Sequence, residues 1–367
     1  MVYGKPASRA ATASAVFHRR RHHRFSTASP GAPPKLASDR LAGNMQLLLA
    51  SEIPPDSPFR LEIQQRLHRG ELTRVHHGTY LESNPADAQQ ITTEIHHVAR
   101  AFGFASRSSK STLSGISAAA LHGLPMLASR LRGPITVTRK NPGSRRPSVM
   151  VSRAELRPED ITSVQQLPVT TLKRTIQDLA SLVRPHELLA AADAALRQGA
   201  SLEHLSEPRR QRRLLRWIEA HASERAESYA ESWSRYIFIQ HDVPLRLEQV
   251  SVFDTDGNFV ARCDFGTELG VLGEFDGRIK YDRIAGSSEA AASMIMAEKQ
   301  RETRLRELGW DVVRWNWVDL QQPAGLLRRL RRQLESAASA PPPRGFIRLE
   351  PVKRVKPPDW RSLFELL

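Results

Sequence analysis

The sequence contains one cysteine, Cys263, in 367 residues. A single thiol excludes an internal disulfide and a cysteine-rich zinc module, so a reducing, cytoplasmic location is the simpler expectation. The chain also lacks any run of about 18 apolar residues, the length that a helix needs to cross a bilayer. Because 40% of its residues are hydrophobic, the chain can still form real cores, and we expect a soluble protein of more than one domain.

Acidic residues are rare at both ends of the chain. Residues 1–40 hold eight Lys or Arg against Asp39 alone, and residues 327–356 hold nine against Glu335 and Glu350. These two stretches supply most of the net charge of +15, and the sequence between them is close to neutral. Basic ends add salt-sensitive attraction to phosphate, or they serve solubility, and both interpretations stay open.

The first forty residues, rich in Arg, His, Ser, Ala and Pro, have the composition of a transit peptide. They fit a disordered basic arm equally well, and we leave residues 1–40 out of the fold. Residues 338–367 are predicted to be a proline-rich basic tail.

Residues 41–84 indicate a small DNA-binding lobe. Two short helices are predicted at 41–53 and 57–69, split by Pro54-Pro55, followed by two brief strands folded about His76-His77-Gly78. Helix, helix and β-hairpin is the order of a winged helix-turn-helix. Four arginines lie where phosphate contacts would be made: Arg60, Arg66, Arg69 and Arg74. Any small α+β lobe can carry the same order, so this alternative remains.

The stretch from 85 to 205 alternates helical and strand signals. Helices are predicted at 90–102, 114–122, 174–181 and 185–198, and strands at 135–139 and 148–152. This lobe offers no nucleophile with a partner and no phosphate loop. The run that follows, EPRRQRRLLR, is either a solvated helix start or a phosphate-facing ridge formed by Arg209, Arg212 and Arg213.

Residues 206–337 predict an α-β-β-β-α-β domain. A helix at 224–240 precedes the strand LRLEQVSVF, an Asp-Gly turn, and the strands NFVARCDF and GVLGEF. A helix at about 287–308, the strand DVVRWNW and a last arginine-rich helix complete the order. The fold class expected for the whole chain is therefore α/β, of mixed α+β type.

Three acidic residues fall at strand ends in this domain. Asp264 ends the second strand, Glu274 ends the third, and Asp276 follows two residues later on the same face. Carboxylates so close together raise each other's pKa unless a cation lies between them. An all-oxygen cluster suits Mg²⁺ or Mn²⁺, so Asp264 and Glu274 are the predicted metal ligands.

This domain resembles the PD-(D/E)XK nuclease superfamily, in particular its very-short-patch-repair-like branch. The resemblance covers about 220–335 and rests on Glu231 of the leading helix, Asp264, the unit Glu274-Phe275-Asp276-Gly277, and EKQRETRLRELGWDVVRW. It implies metal-dependent hydrolysis of DNA, with Glu231 as a further ligand or water-orienting group. Asp276 stands where the family has lysine, so Lys280 or Lys299 would supply the positive group, with Glu298 and Asp276 as auxiliary acids.

The front half resembles the AbiEi-type antitoxin family of bacterial type IV toxin-antitoxin systems. The motifs are LHRGELTRVHHGTYLE, TLSGISAAALHGLPML and PVTTLKRTIQDLA, within residues 41–200. The resemblance implies a winged helix joined to an α/β lobe, DNA binding through Arg66, Arg69 and Arg74, and a possible cognate toxin as partner.

Two functions follow from these patterns. The first is a Mg²⁺- or Mn²⁺-dependent endonuclease that acts on double-stranded DNA. The second is a noncatalytic, antitoxin-like repressor whose back domain only binds nucleic acid or a partner.

Overall fold

The computed structural model describes residues 45–82, 92–108, 110–141, 147–205, 211–277 and 288–366. These residues form helices and three sheets in which parallel and antiparallel strands are mixed. The α+β class expected from the sequence is confirmed.

The first sheet joins the front of the chain to its last strand. Its elements are β1 (Met45–Leu49), α1 (Phe59–His68), β2 (Leu72–His76), β3 (Thr79–Glu82) and β14 (Phe364–Leu366). The strand order is β14-β1-β3-β2, with β14 parallel to β1 and the other pairs antiparallel. The β2–β3 hairpin turns at Gly78, whose φ of +68° is a conformation that favours glycine.

The helix predicted at 41–53 is wrong in its described part, because residues 45–49 form strand β1. Leu47, Leu48 and Leu49 are all buried, on alternating sides of the sheet. A continuous apolar run of this kind is typical of a strand covered on both faces, and period alone cannot separate it from a buried helix. The described residues of this lobe therefore run strand, helix and hairpin.

The second sheet is formed by the middle of the chain. Its five strands lie in the order β6 (Val149–Arg153), β5 (Ile135–Arg139), β4 (Thr112–Leu113), β8 (Leu167–Thr170) and β7 (Ile161–Val164). Its helices are α2 (Thr93–Ala105), α3 (Gly115–Leu121), α4 (Ala128–Leu131), α5 (Leu172–Leu179) and α6 (Pro185–Arg197). The helices and strands predicted for this stretch are confirmed, whereas the β7–β8 hairpin was not predicted. One continuous core runs from Leu47 and Leu81 of the first sheet through this lobe to Leu215.

The third sheet carries the predicted α-β-β-β-α-β order, but the helix predicted at 224–240 begins only at Tyr229, the strand predicted as DVVRWNW ends at Trp315, and the edge strand Phe346–Leu349 was not predicted. Its elements are α7 (Arg212–His221), α8 (Tyr229–Gln240), β9 (Leu247–Phe253), β10 (Phe259–Gly266), β11 (Val271–Phe275), α9 (Ser288–Glu307), β12 (Asp311–Trp315), α10 (Trp317–Gln321), α11 (Ala324–Ala338) and β13 (Phe346–Leu349). The strand order is β12-β11-β10-β9-β13; β11 and β12 are parallel, and the other pairs are antiparallel. Helix α8 packs on one face through Phe238, whose ring lies edge-on to Phe265 and Trp315 at 5.4 and 5.3 Å.

The C-terminal segment is not a detached tail. Strand β13 adds to the edge of the third sheet, and helix α12 (Trp360–Leu363) leads into β14 of the first sheet. Trp360 is 1% exposed, and its Nε1 donates to the Leu121 carbonyl at 2.9 Å. The C-terminal segment therefore contributes one strand to the third sheet and one strand to the first sheet.

A buried ion network fixes α8 against the middle lobe. Arg235 of α8 bonds Asp193 of α6 and lies 3.1 Å from Glu248 of β9, and all three side chains are at least nine-tenths buried. Asp193 also accepts hydrogen bonds from the Ser223 N–H at 2.8 Å and the Ser232 hydroxyl at 2.7 Å. Burial opposes ionisation of Arg235, but the two carboxylates outweigh it and raise the pKa of the guanidinium.

We expect Trp360→Ala to lower the free energy of unfolding by about 3–5 kcal/mol, because it empties a buried indole site and removes its hydrogen bond. The matched control is Val355→Ala, an exposed position in the same segment, which should change the free energy by less than about 0.5 kcal/mol. Urea denaturation of both variants measures the difference. Equal stabilities would show that the segment does not contribute to the core.

Candidate active site

Glu231 is held at the first turn of α8, where Ser228 is the N-cap. Its Oε1 accepts a hydrogen bond from the Ser228 hydroxyl at 2.7 Å. Its Oε2 accepts from the Glu227 N–H and from Nε2 of Gln249, both at 2.7 Å. A carboxylate at this position satisfies helix N–H donors and favours the positive end of the helix dipole, so part of its role is structural.

Asp264 lies near the end of β10, where its Oδ2 accepts the Phe275 N–H at 2.8 Å. This bond ties the side chain to the end of β11, the neighbouring strand. Burial, and then the nearby Glu274 carboxylate, raise the pKa of Asp264 to about 6, although the Phe275 N–H acts in the opposite direction. The carboxyl is thus held in a poorly solvated place between two strands.

Glu231 and Asp264 face each other closely enough to interact electrostatically. Burial raises the pKa of Glu231 to about 8, and the charge of Asp264 is the second cause. Glu231 is 7% exposed. The raised pKa values of the two carboxyl groups indicate that their ionised forms are poorly solvated at this place in the fold.

Glu274 has a different environment, because two arginines bind it. Arg301 of α9 makes a two-pronged contact with its oxygens at 2.7 and 3.0 Å, and Nε of Arg314 on β12 lies 3.0 Å from Oε2. The Cys263 thiol donates to Oε1 at 3.2 Å. Burial alone would raise the pKa of Glu274, but the arginines outweigh it and hold the pKa below its ordinary value.

The two arginines extend this contact into a network. Arg301 also bonds Glu298 at 2.7 Å, and Arg314 bonds Glu298 at 2.5 Å and Glu302 at 2.7 Å. The parallel β11–β12 register places Arg314 directly opposite Glu274. We did not predict either arginine, because the resemblance directed attention to lysines.

The remaining predicted residues of this domain are placed differently. Asp276 follows β11, and its N–H donates to the Trp315 carbonyl at 2.7 Å. Lys299 is exposed on α9, in the same helical turn as Glu298 and Arg301. Lys280 lies outside the described residues. Among the predicted acids, Glu231, Asp264 and Glu274 are brought into one neighbourhood by α8, β10 and β11.

The predicted DNA-contact arginines fall into two groups. Arg60 donates to the carbonyls of Ala50, Ile53 and Pro54, and Arg66 pairs with Glu82 at 2.8 Å, so both stabilise the loop and the sheet. The second group consists of exposed arginines without bonds to distant parts of the chain: Arg69, which pairs with nearby Glu71, together with Arg74, Arg212 and Arg213. Arg60 is exposed as well, but its guanidinium is held by the three carbonyls. Arg209 lies outside the described residues.

The carboxylates of this neighbourhood differ in how well they suit a divalent cation such as Mg²⁺ or Mn²⁺. In the described ranges, no three His, Cys, Asp or Glu side chains form a metal-binding group. Asp264 and Glu231 do offer two buried carboxylates without a salt bridge to the described residues, and Mg²⁺ commonly binds one or two carboxylates and takes its other ligands from water and phosphate. The pair therefore fits a hard cation, whereas the charge of Glu274 is already neutralised by arginine.

Comparison with known proteins gives two relatives. Two uncharacterized proteins of Mycobacterium tuberculosis, from strain CDC 1551 / Oshkosh and strain ATCC 25618 / H37Rv, are each 30% identical over 175 residues. The match covers 45% of this chain and 61% of each relative, so the chain spans about three-fifths of their length. No family model matches, and no solved structure matches.

The helices of the described ranges were also compared with the requirements of a bilayer. None of them is both long enough and apolar enough to cross a membrane.

We expect Glu231→Gln to change how stability depends on pH. The pKa of Glu231 is raised from 4.5 to about 8 by folding, so the wild-type free energy of unfolding falls as pH rises through that window. Glutamine does not titrate, so the variant should gain stability relative to the wild type from pH 5 to pH 8, by at most about 1.4 kcal/mol per pH unit. Urea denaturation in EDTA at several pH values measures this gain.

The matched control for this experiment is Glu307→Gln, at an exposed position on α9. Its curve should follow that of the wild type. Parallel curves for all three proteins would contradict the raised pKa of Glu231.

Proposed function

We propose that this chain binds double-stranded DNA and that its third-sheet domain hydrolyses DNA phosphodiesters with a divalent cation, Mg²⁺ or Mn²⁺. The observation that carries the proposal is the approach of Glu231 and Asp264 from α8 and β10. Burial is the main cause of the raised pKa of both carboxylates, and the charge of Asp264 is the second cause for Glu231. A proton or a cation would offset the cost of ionising two poorly solvated carboxylates, which supports the proposal. The α-β-β-β-α-β order and the resemblance to PD-(D/E)XK nucleases support the same function.

In this proposal Asp264 and Glu231 hold the cation, with Glu274 beside them. When bound, such a cation supplies an ionised water and stabilises negative charge on phosphorus. Glu231 is fixed by Ser228 and Gln249, and Asp264 by the Phe275 N–H, so both carboxylates are positioned before substrate arrives.

In this proposal Arg301 and Arg314 supply the positive charge near the scissile phosphate that the sequence led us to expect from Lys280 or Lys299. Arg301 and Arg314 present guanidinium groups next to Glu274, and guanidinium binds phosphate oxygens in a two-pronged geometry. Glu274 orients these groups, while Glu298 and Glu302 hold their far sides. Asp276 and Lys299 remain auxiliary in this mechanism.

A second function is favoured by one observation, the neutralisation of Glu274 by two arginines. A carboxylate held in this way contributes to stability and is not free to bind a cation. The domain would then act as a binding module of an antitoxin-like repressor, with a cognate toxin as its partner. Both functions act on DNA, so the cytoplasm is the expected compartment for either.

We expect the wild-type protein to nick supercoiled plasmid DNA in Mg²⁺ or Mn²⁺, and Asp264→Asn to reduce the rate at least about a hundredfold. The variant keeps an oxygen that can accept the Phe275 N–H but loses the charge. Asp256→Asn, at an exposed position in the β9–β10 turn, is the matched control and should retain the rate. A wild type that leaves plasmid intact with both metals would exclude the nuclease function and favour the repressor.

We expect the double variant Arg69→Gln, Arg74→Gln to bind DNA more weakly, because both side chains are exposed beside the β2–β3 hairpin. The slope of log affinity against log salt should become shallower by about 1 for each lost phosphate contact. Fluorescence anisotropy with a labelled duplex measures it. Arg132→Gln with Arg153→Gln removes two exposed charges from the second-sheet lobe as control; if both variants behave alike, the front sheet is not the DNA-binding surface.

A further inference from the structure

A charged cleft is lined in part by Glu227 and Gln249, two residues that donate hydrogen bonds to Glu231. Its empty volume of about 210 Å³ includes open solvent at the mouth, so it is an open cleft and not an enclosed cavity. Its cationic side chains are Arg197, Arg225, Arg262 and Lys353, and its acidic side chains are Glu224, Glu227 and Glu350. The C-terminal segment, through residues 350–353, forms one wall.

The acidic side chains of the cleft are already bound by donors. Glu227 pairs with Arg262, and Glu224 lies 2.9 Å from Arg354. Glu350 accepts a hydrogen bond from the Ser251 hydroxyl at 2.5 Å. Glu227 and Glu224 are therefore paired with arginines of the protein, whereas the charge of Glu350 acts on Arg262 without a salt bridge between them in the described residues.

Two arginines of the cleft are held differently. Arg197 donates to the Glu227 carbonyl at 3.0 Å, and Arg225 donates to the Glu350 carbonyl at 2.7 Å. A carbonyl fixes a guanidinium without cancelling its charge; the carboxylate of Glu248 also acts on Arg225, but its own salt bridge is with Arg235. Both side chains are thus pre-positioned and retain positive charge.

Two further cationic side chains of the cleft, Arg262 and Lys353, also offer donors. Nε of Arg262 is buried and has no hydrogen-bond partner in the described part of the chain. Lys353 is exposed at the mouth and forms no ion pair with the described residues. A tetrahedral anion with several oxygens would satisfy such convergent donors, as phosphate does at arginine-rich sites.

The cleft and the carboxylate pair share two residues. Gln249 and Glu227 line the cleft, and the Gln249 side chain and the Glu227 N–H both donate to Oε2 of Glu231. A phosphate in the cleft would therefore lie one side chain away from Glu231.

We propose that the cleft is a phosphate-binding subsite that takes a backbone phosphate of DNA next to the phosphodiester at Glu231 and Asp264. The assignment to DNA rests on the proposed function, whereas the phosphate chemistry rests on the cleft itself. Arg197 and Arg225 bind the phosphate oxygens, and Lys353 contributes charge at the mouth. The subsite sets which phosphodiester reaches the carboxylates.

The test compares Lys353→Gln, and Arg225→Gln combined with Lys353→Gln, with the wild type. Binding of a labelled 20-base-pair duplex is measured by anisotropy in EDTA over a salt series. The slope of log affinity against log salt should become shallower by about 1 in the single variant and about 2 in the double variant. The matched control is Arg328→Gln with Arg332→Gln, two exposed arginines of α11 that should leave the slope unchanged.

Thermal denaturation checks that each variant is folded. If the double variant is unstable, the salt slope of Lys353→Gln, a change at an exposed position, still tests the proposal. Because EDTA prevents metal-dependent cleavage, an inactive nuclease site does not affect this measurement. Unchanged slopes in both variants would overturn the assignment to DNA.

A second arm titrates the proteins with inorganic phosphate and follows Tm. If phosphate raises the Tm of the wild type but not of the variants, while the DNA slopes stay unchanged, the cleft binds free phosphate and the DNA assignment is overturned. If neither probe separates the variants from the control, the subsite itself is refuted. If the variants change the salt slope of DNA binding but the wild type does not cleave plasmid, the phosphate subsite is supported and only the proposed nuclease activity is refuted.

Discussion

The buried contact between Arg235 and Asp193 is the interaction on which the rest of the molecule depends. It joins α8, which carries Glu231, to α6 of the middle lobe, and Arg235 also reaches Glu248 on β9. Breaking one partner of a buried ion pair leaves an uncompensated charge and typically costs about 3–5 kcal/mol. Because Glu231 lies one turn before Arg235 on α8, the network also fixes where the candidate site is built.

Fixing α8 in this way allows the chain to hold two carboxylates where solvation is poor. Glu231 and Asp264 come from a helix and a strand that are each anchored elsewhere, by the Arg235 network and by the β10–β11 pairing. Neither side chain can move away from the other without losing its own hydrogen bonds. The unfavourable energy of this approach is therefore retained in the folded state, which is the usual condition of a functional site.

Local sequence patterns predicted the elements of the third sheet and the positions of Glu231 and Asp264, because period, turn residues and strand ends are local properties. Contacts between distant parts of the chain were not predictable in the same way. Strand β14 pairs with β1 across more than 300 residues, and the proline-rich composition before it indicates a tail. The strand at Leu47–Leu49 was mistaken for a helix because burial on both faces removes the period-2 signal. Arg301 and Arg314 were missed because their role depends on the register of α9 and β12 with Glu274.

The distribution of charge divides the carboxylate cluster into two halves with different chemistry. On one side Glu274, Glu298 and Glu302 are matched by Arg301 and Arg314, so this half is stable without any further ion. On the other side no salt bridge to Glu231 or Asp264 is formed by the described residues, and burial is the main cause that raises the pKa of each. A cation would gain little by displacing arginine from Glu274, but it would relieve the repulsion between Glu231 and Asp264. In the proposed nuclease the cation would therefore be held by Asp264 and Glu231 and not by the predicted pair of Asp264 and Glu274, and the positive charge expected from a lysine would come from Arg301 and Arg314.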